Sequence, residues 1–322
     1  MIANTNDKSV AEQPWHRRIW TFTKAIFNTF KSHHTLDLGA ALSYYTMFSI
    51  VPLLVVIIGI SGLLAGREAM SGQVFNELQG LVGPDTAKTL EEMVGNAYLS
   101  GKGVGATILG VITLVIGSMG IFGSLQSSLD LLWNVKPLPV KNVGGFLLNK
   151  LMSFSFVFGM GFLMVISFVL NSVMVAVGSR LEHYLPEASV LAVSAATMVL
   201  SLAVTTLVFA CLFKYLPHTR VSWRNVLPGA VFTTLLFGFG KYIIAAYFNM
   251  KDPASMFGAA AGLISLLLWT FYSSQIFFLG AIFVEQWARD RGQPIQPSAN
   301  AVRVVVQEVE APVARERSMR PE

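Results

Sequence analysis

The chain has 322 residues, of which 53% are hydrophobic and 13% are charged, and its formal net charge is +5. This charged fraction is about half of the roughly 25% found in soluble proteins, which excludes a soluble enzyme because so few charges cannot cover a water-exposed surface. The single cysteine, Cys211, excludes an intrachain disulfide and a cysteine-rich zinc site.

Residues 1–14 and 293–322 predict disordered tails on either side of a membrane domain, because they are polar or lack apolar periodicity. Residues 15–31 predict a helix with an apolar stripe on one side and cations on another. Two interpretations stay open for it: a helix lying in the cytoplasmic membrane interface, or a helix packed against the bundle. His33 and Asp37, one turn apart, are interpreted as a polar flank rather than a metal site.

Six apolar stretches follow, each longer than the roughly 20 residues that a helix needs to cross about 30 Å of hydrocarbon. The sequence therefore predicts an all-α membrane protein, a bundle of six transmembrane helices within residues 15–292. The predicted spans cover residues 39–65, 105–133, 147–177, 188–213, 226–249 and 257–284.

Lysine and arginine are distributed unevenly between the connecting segments. Of the 23, 17 lie in or border the segments before span one, between spans two and three, between spans four and five, and after span six. Five lie on the opposite side and one lies inside a span. This positive-inside pattern predicts that both termini are cytoplasmic. It also explains the pI near 9.3 without a nucleic-acid partner, since the cations border membrane ends.

The first span is unusually polar in the turns before its proline. Pro52 removes one helix hydrogen bond, so we expect a kink and a carbonyl that needs another partner or a wet cavity. Hydroxyl-bearing residues, among them Tyr44 and Ser49, precede it. Many membrane helices tolerate proline without functional meaning, but the combination makes this region a candidate substrate path.

Segment 67–104 is the long connection on the periplasmic side. Its apolar spacing predicts two short amphipathic helices that are broken at Gly83-Pro84, with Asp85 as the N-cap of the second. Such helices can lie on the outer leaflet, cover the mouth of a cavity or bind an envelope partner.

Glycines in spans two and six predict close helix packing, within the chain or between copies in a homo-oligomer. These glycines are Gly117 and Gly120 in span two, and Gly258 and Gly262, a G-x-x-x-G pair, in span six.

Two carboxylates mark the cytoplasmic ends of spans. Asp130 is interpreted as an interfacial carboxylate paired with Lys136 or Lys141, because the end of a span is wet; the alternative is a polar group in a substrate path. Glu285, beside Arg289, predicts an interfacial ion pair.

Lys241 is the one charge well inside a span, roughly 12 Å from the outer end of span five. Because a lysine there costs about 2.5–3.5 kcal/mol on insertion scales, it either snorkels to the outer headgroups or faces the bundle and attracts an anion such as a lipid phosphate. Tyr272 and Gln275 share one face of span six, near mid-membrane. The predicted substrate path comprises Lys241, Tyr44, Ser49, Pro52, Tyr272, Gln275 and Asp130.

The sequence contains no nucleophile elbow, phosphate-binding loop, H-E-x-x-H motif or cysteine–histidine cluster. Its five histidines are scattered in flanks and loops. We therefore predict no enzyme activity, no metal and no cofactor.

Three blocks resemble, in the correct order, the YihY/BrkB family of membrane proteins. They are LGAALSYYTMFSIVPLL at 38–54, WRNVLPG at 223–229 and GLISLLLWTFYSSQIFFLGAIFVE at 262–285. The similarity covers about residues 20–292 and implies a six-span protein of the bacterial inner membrane, but it supplies no mechanism. Some members carry an old label of transfer-RNA-processing ribonuclease BN, others are named for a virulence phenotype, and the family has been linked to envelope lipid handling.

The leading hypothesis is a non-enzymatic protein that moves, or helps to move, an amphipathic anionic lipid of the envelope. It rests on the polar groups and the interrupted helix near mid-membrane, which are typical of transport sites. The alternative is a structural or scaffolding protein that binds an envelope partner through segment 67–104. A ribonuclease is disfavoured, because no residue pattern supports one.

Overall fold

The computed structural model describes residues 15–65, 67–100, 120–139, 186–250 and 260–305, and within these ranges the chain is mainly helical. The elements are α1 (Trp15–Ser32), α2 (Thr35–Ala65), α3 (Arg67–Val82), α4 (Pro84–Ser100), α5 (described over 120–132), β1 (Val135–Pro137), α6 (Pro186–Tyr215), β2 (Thr219–Arg220), α7 (Trp223–Met250), α8 (Ala261–Asp290), β3 (Gln296–Pro297) and β4 (Ala301–Arg303).

Three of the described helices contain segments long and apolar enough to cross a membrane: Thr35–Val55 in α2, Ala195–Tyr215 in α6 and Ala261–Asp290, the whole of α8. They coincide with predicted spans one, four and six, so the chain is a helical membrane protein. Predicted span five falls within α7, and α5 holds the second half of predicted span two. Predicted span three and the N-terminal tail 1–14 lie outside the described residues.

Helix α8 is the centre of the described bundle and packs against α1, α2, α4 and α7. Its second half lies in a core of large apolar side chains, where the Phe213 ring of α6 stacks on Phe277 with centroids 5.1 Å apart. Trp133, directly after α5, is fully buried there and its indole N–H donates to the carbonyl of Ala281 at 3.0 Å. Dense packing of this kind is what holds helices together in a membrane.

Helices α3 and α4 form a hairpin that packs on α2 and α8 at the opposite end of α8. The hairpin turns at Gly83, whose φ of 85° suits glycine. Pro84 is the first residue of α4, where its fixed φ fits a helix start, so the helix begins before the predicted N-cap Asp85. A second apolar cluster joins the four helices; it comprises Leu54, Ile58, Phe75, Val82, Leu90, Val94, Leu266 and Trp269.

Part of the predicted C-terminal tail is ordered: residues 293–305 contain β3 and β4, so the prediction of disorder is wrong for this part, and the mainly helical fold includes four short strands. β4 pairs antiparallel with β1, and β3 pairs antiparallel with β2. Ile295 and Ala301 are buried, and the Arg303 guanidinium donates to the carbonyl of Ile295 at 3.1 Å. Strands of two or three residues carry no periodicity that sequence reading can detect. We call the end of the bundle that carries these four strands the strand-bearing end; residues 306–322 lie outside the described residues.

Candidate functional site

Small and polar residues line the contact between α2 and α8, which we call the α2–α8 seam. Gly39 of α2 lies directly against the amide of Gln275 and the hydroxyl of Ser274, so close that a Cβ at position 39 would collide with both. The Gln275 Nε2 atom donates to the carbonyl of Thr35 at 3.3 Å. The glycine therefore lets a mid-helix amide of α8 reach the first turn of α2.

Two buried serines follow Gly39 along α2. The Ser43 hydroxyl donates to the Gly39 carbonyl at 2.9 Å, and the Ser49 hydroxyl donates to the Tyr45 carbonyl at 2.6 Å. Both bonds stay within α2, a pattern that loosens a helix slightly. α2 continues as a helix through Pro52, which is half-buried. Near the seam α2 thus carries small, buried hydroxyl side chains and a slightly loosened backbone.

Oε1 of Gln275, on the α8 side of the seam, is buried without a hydrogen-bond partner in the described part of the chain, and so is Oγ of Ser273, which lies about 200° round α8 from Gln275. An unpaired buried acceptor or hydroxyl costs about 1–3 kcal/mol, and more where no water is present. Such atoms call for a water or a ligand group. The Gln275 atom is the feature of the seam that points towards a polar substrate.

A second close approach joins α7 to α8. A Cβ at Gly240 would lie 2.5 Å from the Tyr272 hydroxyl oxygen, so the tyrosine rests on the bare backbone of α7. Lys241 follows immediately in α7, and its side chain is outside what the structure describes. The structure therefore brings Tyr272 against Gly240, the residue before Lys241, while Gly238 faces open space.

The other predicted path residues lie elsewhere. Tyr44 is 59% exposed on the outside of α2, where its ring packs edge-on to Phe48 with centroids 5.0 Å apart.

Of the packing glycines, Gly120 lies against the Tyr45 ring and Gly262 lies against Thr89 of α4. Gly117 and Gly258 lie outside the described residues.

Asp130 has a different partner from the predicted lysines. Its Oδ1 accepts the backbone N–H of His218 at 2.8 Å, and its Oδ2 lies 2.7 Å from His218 Nδ1. Asp130 is buried, whereas Lys136 lies on the exposed side of β1 and Lys141 lies outside the described residues. The turn after α6 delivers His218 to the end of α5, which is why the histidine and not a lysine meets the carboxylate.

Gln126 strengthens the same contact. One turn before Asp130 on α5, its Nε2 donates to the carbonyl of Leu216 at 2.7 Å. We call Gln126, Asp130, Leu216 and His218 the α5–α6 latch. The hydrogen bond to Asp130 raises the pKa of His218 and outweighs the opposing effect of burial. The signal that could have found His218 is its place after Pro217, in a turn that the charge distribution predicts on the same membrane side as Asp130.

Two further features lie at the strand-bearing end. The predicted ion pair is present, with Arg289 donating to Glu285 at 2.6 Å. A cavity of about 310 Å³ opens where α7 begins, between residues 220–225 and 292–296. Among the described residues, no group of three or more His, Cys, Asp or Glu side chains is placed to hold a metal ion.

Long apolar helices packed around α8, with a polar seam at their centre, define an integral membrane protein. Comparison with known families assigns it further: the model of the family Virulence factor BrkB matches residues 26–303. The chain belongs to this family, which confirms the resemblance found in the sequence.

The chain is similar to UPF0761 membrane proteins. It is 24% identical to one from Stenotrophomonas maltophilia strain K279a, over 87% of this chain and 63% of the relative. For one from Pseudomonas aeruginosa strain PAO1 the identity is 24%, over 82% and 62%. It is also 24% identical to the ribonuclease-like protein YfkH of Bacillus subtilis, over 81% of this chain and 92% of that protein. The chain thus spans less than two thirds of the UPF0761 relatives' length. No solved structure matches it.

Proposed function

We propose that this chain is a six-span protein of the bacterial inner membrane, with both termini in the cytoplasm, that transports or helps to transport an amphipathic anionic envelope lipid. The observation that carries the proposal is Gln275 Oε1, a polar atom buried at the α2–α8 seam without a hydrogen-bond partner in the described part of the chain. A lipid headgroup that passes along the α2–α8 seam supplies hydroxyl groups and water to such atoms.

Membership of the BrkB family and the apolar helices support the membrane location. The anionic character of the substrate rests on Lys241, whose helix contacts Tyr272 one residue earlier at Gly240. At the depth that the sequence predicts for Lys241, a cation favours a negatively charged group, because an unpaired charge inside a span is costly.

The test is lipid exchange between leaflets in vesicles that contain the purified full chain. The probes are fluorescent phosphatidylglycerol and, for comparison, fluorescent phosphatidylcholine, each bleached from outside with dithionite. We expect faster exchange of phosphatidylglycerol than in protein-free vesicles. Gln275→Leu, which keeps the volume and removes the amide, slows exchange severalfold. Its matched control is Gln286→Leu on the same helix, since Gln286 bonds to Thr29 at the strand-bearing end.

Lys241→Ala and Lys241→Glu test the cation in the same assay, with Lys88→Glu on the exposed face of α4 as the control. We expect the glutamate variant to lose more exchange than the alanine variant. Unchanged exchange in both removes Lys241 from the path. Wild-type exchange no faster than in empty vesicles, alone or with other envelope proteins present, contradicts the transport proposal itself.

A second candidate is a scaffold that binds an envelope protein through segment 67–104. It is favoured by the anchoring of α3 and α4: their apolar face is fixed to α2 and α8, while Lys88, Glu91 and Glu92 remain exposed. The double change Glu91→Lys and Glu92→Lys separates the two candidates. A scaffold loses its partner in that variant and tolerates Gln275→Leu, whereas a transporter shows the reverse.

The ribonuclease name belongs to YfkH of Bacillus subtilis and is not carried over to this chain. The basic charge that an RNA partner requires is already explained by membrane topology. Purified protein freed of contaminating nucleases is expected to leave RNA intact, and cleavage that copurifies with the chain contradicts this expectation.

A further inference from the structure

Around the axis of α1, the side chains are grouped by type into an apolar, an aromatic, a basic and a small polar strip. At about 100° per residue, Phe22, Ile26 and Phe30 face the bundle, and the Phe22 ring meets Phe283 of α8 with centroids 5.3 Å apart. Moving round the helix, aromatic side chains come next, then cations, then small polar groups. In that order the exposed residues are Trp20 and Phe27, then Lys24, Lys31 and Arg17, then Asn28, Thr21 and Ser32.

Helix α1 crosses α8 instead of running along it. Phe22 contacts α8 at Phe283, and Thr29, seven residues later, accepts a hydrogen bond from Gln286, only three residues later on α8. Seven residues advance about 10 Å along one helix axis, whereas three advance about 4.5 Å along the other. Because α8 crosses the membrane, a helix that crosses α8 near its end lies close to the membrane plane.

The aromatic and basic residues on the outer side of α1 are strongly exposed. Trp20 is 71% exposed and Phe27 is 56% exposed, which is unusual for side chains of this size unless lipid covers them. The Lys31 ammonium lies 4.8 Å from the centre of the Phe27 ring, so cation and aromatic ring form one continuous surface. Aromatic rings beside lysines are typical of the zone between acyl chains and headgroups.

We propose that the surface formed by Trp20, Lys24, Phe27 and Lys31 docks on anionic phospholipids of the leaflet at the strand-bearing end. The aromatic rings enter the boundary between headgroups and acyl chains, and the ammonium groups bind lipid phosphates. The polar side with Asn28 faces water. The sequence left an interfacial helix and a packing helix as alternatives; this arrangement has an inner face for packing and an outer face for lipid.

The test measures which side of α1 touches lipid, using the full chain in lipid nanodiscs. In a Cys211→Ala background, Thr23→Cys places a fluorophore on the aromatic side and Asn28→Cys places one on the polar side. Both native residues are exposed, so the two variants are a matched pair. We expect brominated acyl chains to quench the probe at 23, increasingly with phosphatidylglycerol content, and aqueous iodide to quench the probe at 28.

Charge reversal then tests the lipid headgroup. Lys24→Glu combined with Lys31→Glu raises severalfold the phosphatidylglycerol content needed for half-maximal quenching at 23, since each lysine contributes to attraction by an anionic surface. Lys88→Glu, on α4, leaves it unchanged. Equal iodide quenching at both positions, or lipid quenching independent of phosphatidylglycerol, overturns the proposal. Protection of position 23 from both quenchers, with a larger particle, also overturns it and assigns the surface to a second copy. None of these outcomes depends on lipid transport.

Discussion

The pair formed by Asp130 and His218 makes the α5–α6 latch dependent on pH. The pKa of His218 is raised above the ordinary 6.5 by its hydrogen bond to the carboxylate. Below about pH 6.5 the histidine is protonated in both the folded and the unfolded state, so the full stabilisation is present. As the pH rises through the higher pKa of the folded state, that stabilisation is lost.

We therefore expect the free energy of unfolding of the wild type to be lower at about pH 9 than at about pH 6. The difference is at most about 1.5–3 kcal/mol, which is typical of one hydrogen bond to a charged group. Denaturant unfolding in detergent at the two pH values measures it. Asp130→Asn is the matched variant, because its amide oxygen can still accept the His218 backbone N–H. It is expected to remove most of the difference; a variant that keeps the wild-type difference contradicts a role for this pair.

Gly39 is the residue on which the α2–α8 seam depends most directly. Gly39→Ala places a methyl group against Gln275 and Ser274, and overpacking of this kind costs about 1–3 kcal/mol. Gly39→Ala combined with Gln275→Ala should recover part of that loss, because the second change makes room. Gly238→Ala is the control, since nothing lies within 4 Å of its Cβ position. Additive effects in the double-mutant cycle contradict direct contact across the seam.

At this scale the sequence predicted residue types better than partners. Gln275 and Ser49 stood out as polar groups in apolar helices; Gln275 lies at the seam, and Ser49 is buried and bonded within α2. Asp130 stood out as well, but its partner is 88 residues away, across segments whose relative placement no local pattern encodes. Tyr44 was predicted from its polar neighbours, yet a helix turns neighbouring side chains to different faces, and this one faces outward.

At the scale of elements, hydrophobic length and periodicity predicted the bounds of most helices in the described part of the chain within about six residues. α1, α3 and α4 match predicted amphipathic segments, because burial of one face against α2 or α8 is what such periodicity reports. The four short strands were not predicted, because strands of two or three residues have no hydrophobic periodicity. β3 and β4 pair with β2 and β1, which lie in the turns after α6 and α5. A polar, proline-containing segment gives no local signal of such tertiary contacts.

Two substitutions in the C-terminal segment test directly whether residues 293–305 are ordered. Ile295 and Val305 both belong to the predicted disordered tail, but Ile295 is buried in the core cluster and Val305 is 74% exposed. We expect Ile295→Ala to lower the free energy of unfolding by about 2–4 kcal/mol and Val305→Ala to change it by less than about 0.5 kcal/mol. Equal, small changes in the free energy of unfolding for the two variants would instead support the predicted disordered tail.

At the scale of the whole molecule, the length of α8 sets the distance between the α3–α4 hairpin and the strand-bearing end. Gly262, near its start, contacts the α3–α4 hairpin, and Ala281 accepts the hydrogen bond of Trp133 at the strand-bearing end. The 30 residues of α8 extend about 45 Å, more than the roughly 30 Å of hydrocarbon. The proposed topology therefore places the hairpin and the strands beyond opposite faces of the bilayer, each on the side that the charge distribution predicts.

This arrangement predicts the accessibility of two exposed positions in a Cys211→Ala background. Glu91→Cys, on α4, should react with a membrane-impermeant maleimide in intact cells whose outer membrane admits the reagent. Val305→Cys, after β4, should react only once the inner membrane is permeabilised. Both substitutions are at exposed sites, so neither should disturb folding. Labelling of both positions from outside contradicts the separation along α8, whereas the reverse labelling keeps the separation and overturns the positive-inside orientation, because the hairpin would then lie in the cytoplasm.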